Sequence, residues 1–147
     1  MPWVLGHRIT VTGGAYIWLC LLILTLPVNW VIAAIVAGLC HELSHLFALY
    51  MLGIPVYAME IGGRGAKLET GAMEEWEELI CAIAGPAGSL FLLLVSLWFP
   101  RIALCGLFQG LYNLIPLGTL DGGRAIRCLI AIAGGKKPCK QGKERVQ

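Results

Sequence analysis

The sequence predicts an all-α polytopic membrane protein with about four transmembrane helices and a short β-hairpin insert at the cytoplasmic face. Three observations predict it. Of 147 residues, 58% are hydrophobic and only 14% charged, against roughly 45–50% and 25% in soluble domains, and mean hydropathy is +0.77. Apolar stretches of near-spanning length recur along the chain. One polar, glycine-centred segment interrupts them. This composition excludes a disordered chain and a secreted disulfide scaffold, and argues against a soluble enzyme. The length suits one domain.

The elements follow in order. Met1–Thr12 offers only His7 and Arg8 as a basic flank, and no Ala-x-Ala site follows Leu26, so no cleavable signal is expected. Tyr16–Leu26 is almost purely apolar and would reach spanning length by extending back through Ile9–Gly14. Pro27 and Asn29 mark a turn. Trp30–Leu52 is long enough to cross a bilayer, which takes about 20 residues at 1.5 Å each. Ile80–Phe99 forms a third crossing, ended by Pro100 and Arg101, and Ile102–Leu120 a fourth, interrupted by Asn113, Pro116 and Gly118. Ala125–Ala133 is too short to span and is expected at the interface. Residues 1–133 thus form the membrane core and residues 134–147 a basic cytoplasmic tail.

Between the second and third crossings lies the one long polar insert. Val56–Ile61 and Ala66–Thr70 read as two short strands about Gly62-Gly63-Arg64-Gly65. Glu74, Glu75, Glu77 and Glu78 follow and should open the third helix, where carboxylates suit the positive end of the macrodipole. Lys and Arg placement sets orientation. With the N-terminus inside, Arg8, Arg64, Lys67, Arg124, Arg127 and the five tail cations fall on the inner side, and Arg101 alone falls outside. Both ends therefore face the cytoplasm. Five of the six cysteines sit in apolar runs and only Cys139 lies in a polar tail, which reads as buried small hydrophobes rather than a disulfide set.

Ionisable groups inside crossings cost roughly 2.5–3.5 kcal/mol each on insertion scales and are presumed functional. The second crossing holds three within five residues, His41, Glu42 and His45, in an HExxH pattern. On a helix the two histidines lie one turn apart on one face and can grip one metal ion. Glu42 can reach a metal-bound water without being a ligand. Zinc suits two histidines, one further ligand and an open position. Once residues of the insert and tails are set aside, Asp121 is the acidic residue left near the end of a crossing. Pro116 and Gly118 break the helix before it, and the freed backbone must line a protein cavity. Gly122 and Gly123 let the chain turn closely beside the ion. Asn113 has two amide donors for a peptide or a developing oxyanion. His41 lies about 20 Å along the second crossing, and the fourth runs parallel to it, so the three ligands can meet toward the cytoplasmic side.

The HExxH helix, Ala84-Gly85-Pro86-Ala87-Gly88 and the Asn113…Pro116…Leu120-Asp121-Gly122-Gly123 string together resemble the site-2 protease family of intramembrane zinc metalloproteases (peptidase family M50). The resemblance runs from about Ile9 to Ile130. It is greatest to the sporulation factor IVB-type branch, with its short basic N-terminal segment, Gly-Gly hairpin and Glu-rich approach to Ala-Gly-Pro. It implies one Zn2+ per chain held by His41, His45 and Asp121, Glu42 as general base and Asn113 positioning substrate. Leu114 stands where the family often has proline. The chain ends soon after the aspartate, which implies a minimal core served by partners. The implied partners are a membrane-embedded or membrane-associated protein substrate, such as a transcription-factor precursor, the lipid bilayer and a regulatory membrane protein; nucleic acid is not among them. Two other readings stay open from sequence: a catalytically silent scaffold of the same family, and a metal-ion transporter.

Overall fold

The computed structural model describes residues 8–62, 65–118 and 120–134. The chain runs β1 (Arg8–Val11), α1 (Gly13–Thr25), α2 (Val28–Leu52), β2 (Val56–Gly62), β3 (Gly65–Thr70), α3 (Glu75–Phe91), a 3-10 turn (Leu92–Val95), α4 (Pro100–Asn113) and α5 (Asp121–Ala133). Among the described residues, two helical stretches are long and apolar enough to cross a membrane, Val28–Leu52 and Glu75–Val95. Each begins and ends where its residues dictate. Pro27 caps α2, and Gly53, at φ 71°, ends it in a left-handed conformation that a side chain would disfavour. Glu74 precedes α3 and donates its backbone N–H to Glu77 Oε2 at 2.7 Å, so the acidic run does open this helix.

Four helices pack through small residues. On α2, Ala33, Ala37, His41, His45 and Leu49 recur every four residues and form the buried stripe. α3 and α4 pack against α2, and α5 packs against α3. Backbones approach closely where Gly106 of α4 meets the Ser89 carbonyl and Gly110 meets Leu90 and the Pro86 carbonyl. Large apolar side chains such as Ile32, Leu39, Leu43 and Phe47 point outward from α2. That inside-out distribution suits lipid rather than water.

The structure corrects the sequence reading at three places. The insert is not a lone hairpin. β1 joins it, pairing parallel to β2 with Ile9 opposite Met59 and Val11 opposite Ile61, while β2 and β3 run antiparallel. Ile9–Val11 is therefore strand, and α1 cannot extend back through it; the helix has 13 residues, about 20 Å. The fourth apolar segment breaks before Asp121, as its proline and glycine predict, and what differs is that the aspartate starts a new helix. α4 stops at Asn113 after 14 residues, about 21 Å, because Pro116 carries no N–H and blocks the α region for Ile115. Asp121 consequently opens α5 rather than ending a crossing. The short C-terminal apolar patch belongs to that helix.

The sheet lies at the C-terminal end of α2. There Leu49, Ile54, Val56 and Cys81 form a buried cluster, with Leu46, Leu68 and Met73 against it. This cluster ties the hairpin to the helices that carry the site. Cys20, Cys40, Cys81, Cys105 and Cys128 are all free thiols. Gly63, Arg64, Cys139 and the cations of the tail lie outside the described residues.

Candidate metal centre

His41 and His45 follow one another on the buried stripe of α2, 3% and 6% exposed. Asp121, the first residue of α5, sits where the helix dipole favours a carboxylate. The loop before it reaches this place because Gly122 and Gly123 have no Cβ. A methyl at either would collide with the Leu114 or Leu117 carbonyl folded back over the first turn of α5. Arg127 Nη1 donates to the Gly118 carbonyl at 2.8 Å and pins the same loop.

Three ligand atoms converge. His41 Nε2 and His45 Nε2 each lie 3.2 Å from Asp121 Oδ2, and 3.2 Å from each other. The centre of a triangle with 3.2 Å sides is about 1.85 Å from each corner, close to the 2.0–2.1 Å that zinc takes from nitrogen and oxygen. Each outer nitrogen has a partner. His45 Nδ1 lies 2.8 Å from the Cys81 carbonyl, which can only accept, so the proton is on Nδ1 and the Nε2 lone pair faces inward. His41 Nδ1 lies 2.9 Å from Ser89 Oγ, a hydroxyl able to accept from that nitrogen. With the Nε2 atoms turned inward, two imidazoles and a carboxylate oxygen aim three ligand atoms at one point, an arrangement that suits a cation. The donor set and its outer partners fit a zinc ion.

The space for the imidazoles comes from α3. A Cβ at Gly85 would run into the His45 ring and crowd His41 Cε1, and one at Gly88 would run into Ser44. The Ala-Gly-Pro-Ala-Gly segment is thus the wall against which the metal-binding face of α2 rests.

Glu42 projects into the adjoining cavity of about 340 Å³, which is also lined by Asn113, Asp121, Arg124 and the β3 residues Gly65–Leu68. Its Oε1 accepts the backbone N–H of Ala66 at 3.2 Å. That N–H points away from β2, so by alternation Ala66 and Leu68 present the free edge of the sheet to the cavity. Asn113, the last residue of α4, donates from Nδ2 to the Gln109 carbonyl at 3.1 Å and lines the same cavity. All five residues singled out from sequence therefore border one site. Ser89, Glu78 and Arg124 were missed. Ser89 had a legible signal, being a hydroxyl inside a crossing one helical turn beyond Gly85. Glu78 and Arg124 had none beyond ordinary interfacial charge.

No family model matches the chain. Among proteins of known structure, the site-2 protease from Methanocaldococcus jannaschii superposes with a TM-score of 0.70, over 90% of this chain and 71% of that one, at 24% identity. The fold is that of a site-2 protease. A Synechocystis protein named "Putative zinc metalloprotease sll0528" is 33% identical over 124 residues, covering 69% of this chain. The chain spans about a third, 32%, of the length of that relative. In the site-2 protease fold seen here, the metal-binding face of α2, the glycine wall of α3 and the start of α5 enclose the three ligands.

Proposed function

We propose that the chain is the catalytic core of an intramembrane zinc metalloendopeptidase of the site-2 protease family, cleaving a transmembrane or membrane-associated protein. One observation carries the reading: His41, His45 and Asp121 offer three ligand atoms 3.2 Å apart, beside a cavity lined by Glu42. A zinc ion held by His41, His45 and Asp121 would supply Lewis acidity and lower the pKa of a bound water toward neutrality. Glu42 takes the proton at its carboxylate and returns it to the departing amine. Asn113 uses one amide hydrogen on Gln109 and keeps the other to offer a developing oxyanion. The free edge of β3 receives the locally unwound substrate by strand addition, with Leu68 as the open pairing position beside Ala66, whose N–H is held by Glu42.

α2 and α3 carry the chain through the bilayer, and the shorter α1 and α4, about 20 and 21 Å long, complete four passes across a locally thinned core. The distribution of Lys and Arg along the sequence favours an orientation with the sheet and both termini on the cytoplasmic side. Regulated proteolysis of a membrane-tethered transcription-factor precursor, controlled by a regulatory membrane protein, is the proposed setting. Within the family, the Gly-Gly hairpin and Glu-rich start of α3 favour the sporulation factor IVB-type branch.

The test is one purification and one assay. Wild type should carry zinc and cleave a model membrane substrate in detergent or vesicles. Glu42→Gln should keep the zinc and lose cleavage, while His45→Ala should lose both. Full activity in Glu42→Gln would overturn the mechanism, and a metal-free wild type would overturn the site.

A further inference from the structure

The three ligands share a feature that the motif does not contain: each is linked to α3, the histidines directly and the aspartate through one residue of α5. His41 meets Ser89 Oγ at 2.9 Å and His45 meets the Cys81 carbonyl at 2.8 Å. Asp121 is reached indirectly. Its Oδ2 faces the two imidazoles, while its Oδ1 lies 3.7 Å from Arg124 Nη1, three residues along α5. Arg124 in turn places Nε 3.4 Å from Glu78 Oε1 on α3. Glu78, Cys81, Gly85 and Ser89 recur at spacings of three and four, so all lie along one stripe of α3.

We propose that Arg124, held by Glu78, is a positioning residue that divides the two oxygens of Asp121, keeping Oδ1 on the guanidinium and leaving Oδ2 to the metal. The inference rests on the metal-centre reading above. A planar guanidinium with several donors can bridge two carboxylates on different helices, which a lysine point charge does less well. A carboxylate at a helix N-terminus otherwise rotates freely about its side-chain bonds, and ordering it before the ion arrives lowers the cost of binding. Because Glu78 offsets the charge of Arg124, the pair orients Asp121 without presenting a net positive charge to the ion.

Charge and positioning predict different signs. If Arg124 acted only as a nearby cation, Arg124→Gln would tighten zinc binding and Glu78→Gln would weaken it. Positioning requires both variants to weaken it. The measurement is zinc affinity of the full chain in detergent micelles, by competition with a chromophoric chelator, with circular dichroism confirming that each variant keeps its helices. We expect Arg124→Gln and Glu78→Gln each to lose about tenfold or more. The double variant should lose less than the product of the two, because both break one bridge. Arg124→Lys should fall between Arg124→Gln and wild type. A cobalt-loaded sample gives a second readout: Arg124→Gln should alter the visible absorption as Asp121 changes its mode of ligation. Wild-type affinity or tighter binding in Arg124→Gln would overturn the proposal while leaving the metal centre standing. Absence of zinc binding in wild type would instead overturn the reading beneath it.

Discussion

A single methyl group is enough to test the centre. Gly85→Ala places a Cβ in the space of the His45 ring and against His41, so it should abolish zinc retention while leaving the remaining helix packing of α3 largely intact; zinc content by atomic absorption checks this. Ser89 is fully buried and its Oγ sets the orientation of His41. Ser89→Ala should weaken zinc about 10–100-fold, the usual cost of losing an outer partner, and chelator competition measures it. Glu42→Gln differs from both. The amide cannot accept the proton, so turnover should fall by roughly 10²–10⁴ with zinc unchanged. The three variants thus separate making the cage, orienting it and using it.

Elements decide which residues can act at all. β2 is the central strand, hydrogen-bonded on both sides, and Ile61 accepts the Thr12 N–H at 2.9 Å; proline at Ile61 would break the sheet rather than test substrate pairing. β3 is an edge strand, and Leu68 turns its N–H outward. Leu68 also packs on the Leu49 cluster, so Leu68→Pro should lower cleavage of a membrane substrate more than Leu68→Ala, which loses the same packing but keeps the N–H; equal cleavage by the two would remove strand addition from the mechanism. α5 shows a related effect of packing. Cys128 is 2% exposed where α5 meets α3, and burial, with Glu78 and Glu75 adding to it, pushes its thiol up to about 11. At pH 8 only about one molecule in a thousand carries the thiolate. Iodoacetamide should spare Cys128 in the folded protein and modify it after unfolding, as peptide mass mapping would reveal.

At the scale of the whole molecule, the ion would join α2 to α5, which are otherwise connected largely through α3. Zinc at a hundredfold excess over its Kd should stabilise the fold by about 2.7 kcal/mol, and a chelator should lower the melting temperature accordingly. His45→Ala should melt at the same temperature with and without zinc. Much of this architecture was readable beforehand. HExxH, the Gly-Pro wall and the Pro-Gly break before Asp121 are local signals, because helix periodicity and backbone restriction act over a few residues. Membrane character followed from composition for the same reason. What needed the folded chain were the contacts between distant segments. β1 pairs with a strand some fifty residues later; its β-branched run Ile9-Thr10-Val11 favours a strand locally, but which strand it joins is decided only by packing. His41 meets a carboxylate 80 residues away, and Arg124 meets Glu78 across 46. Residue type and spacing determine which groups can ligate and which segments can be helical. Only packing determines which oxygen faces the imidazoles, which N–H holds Glu42 and which helix carries the outer partners, because those depend on close approach between surfaces the linear chain keeps apart.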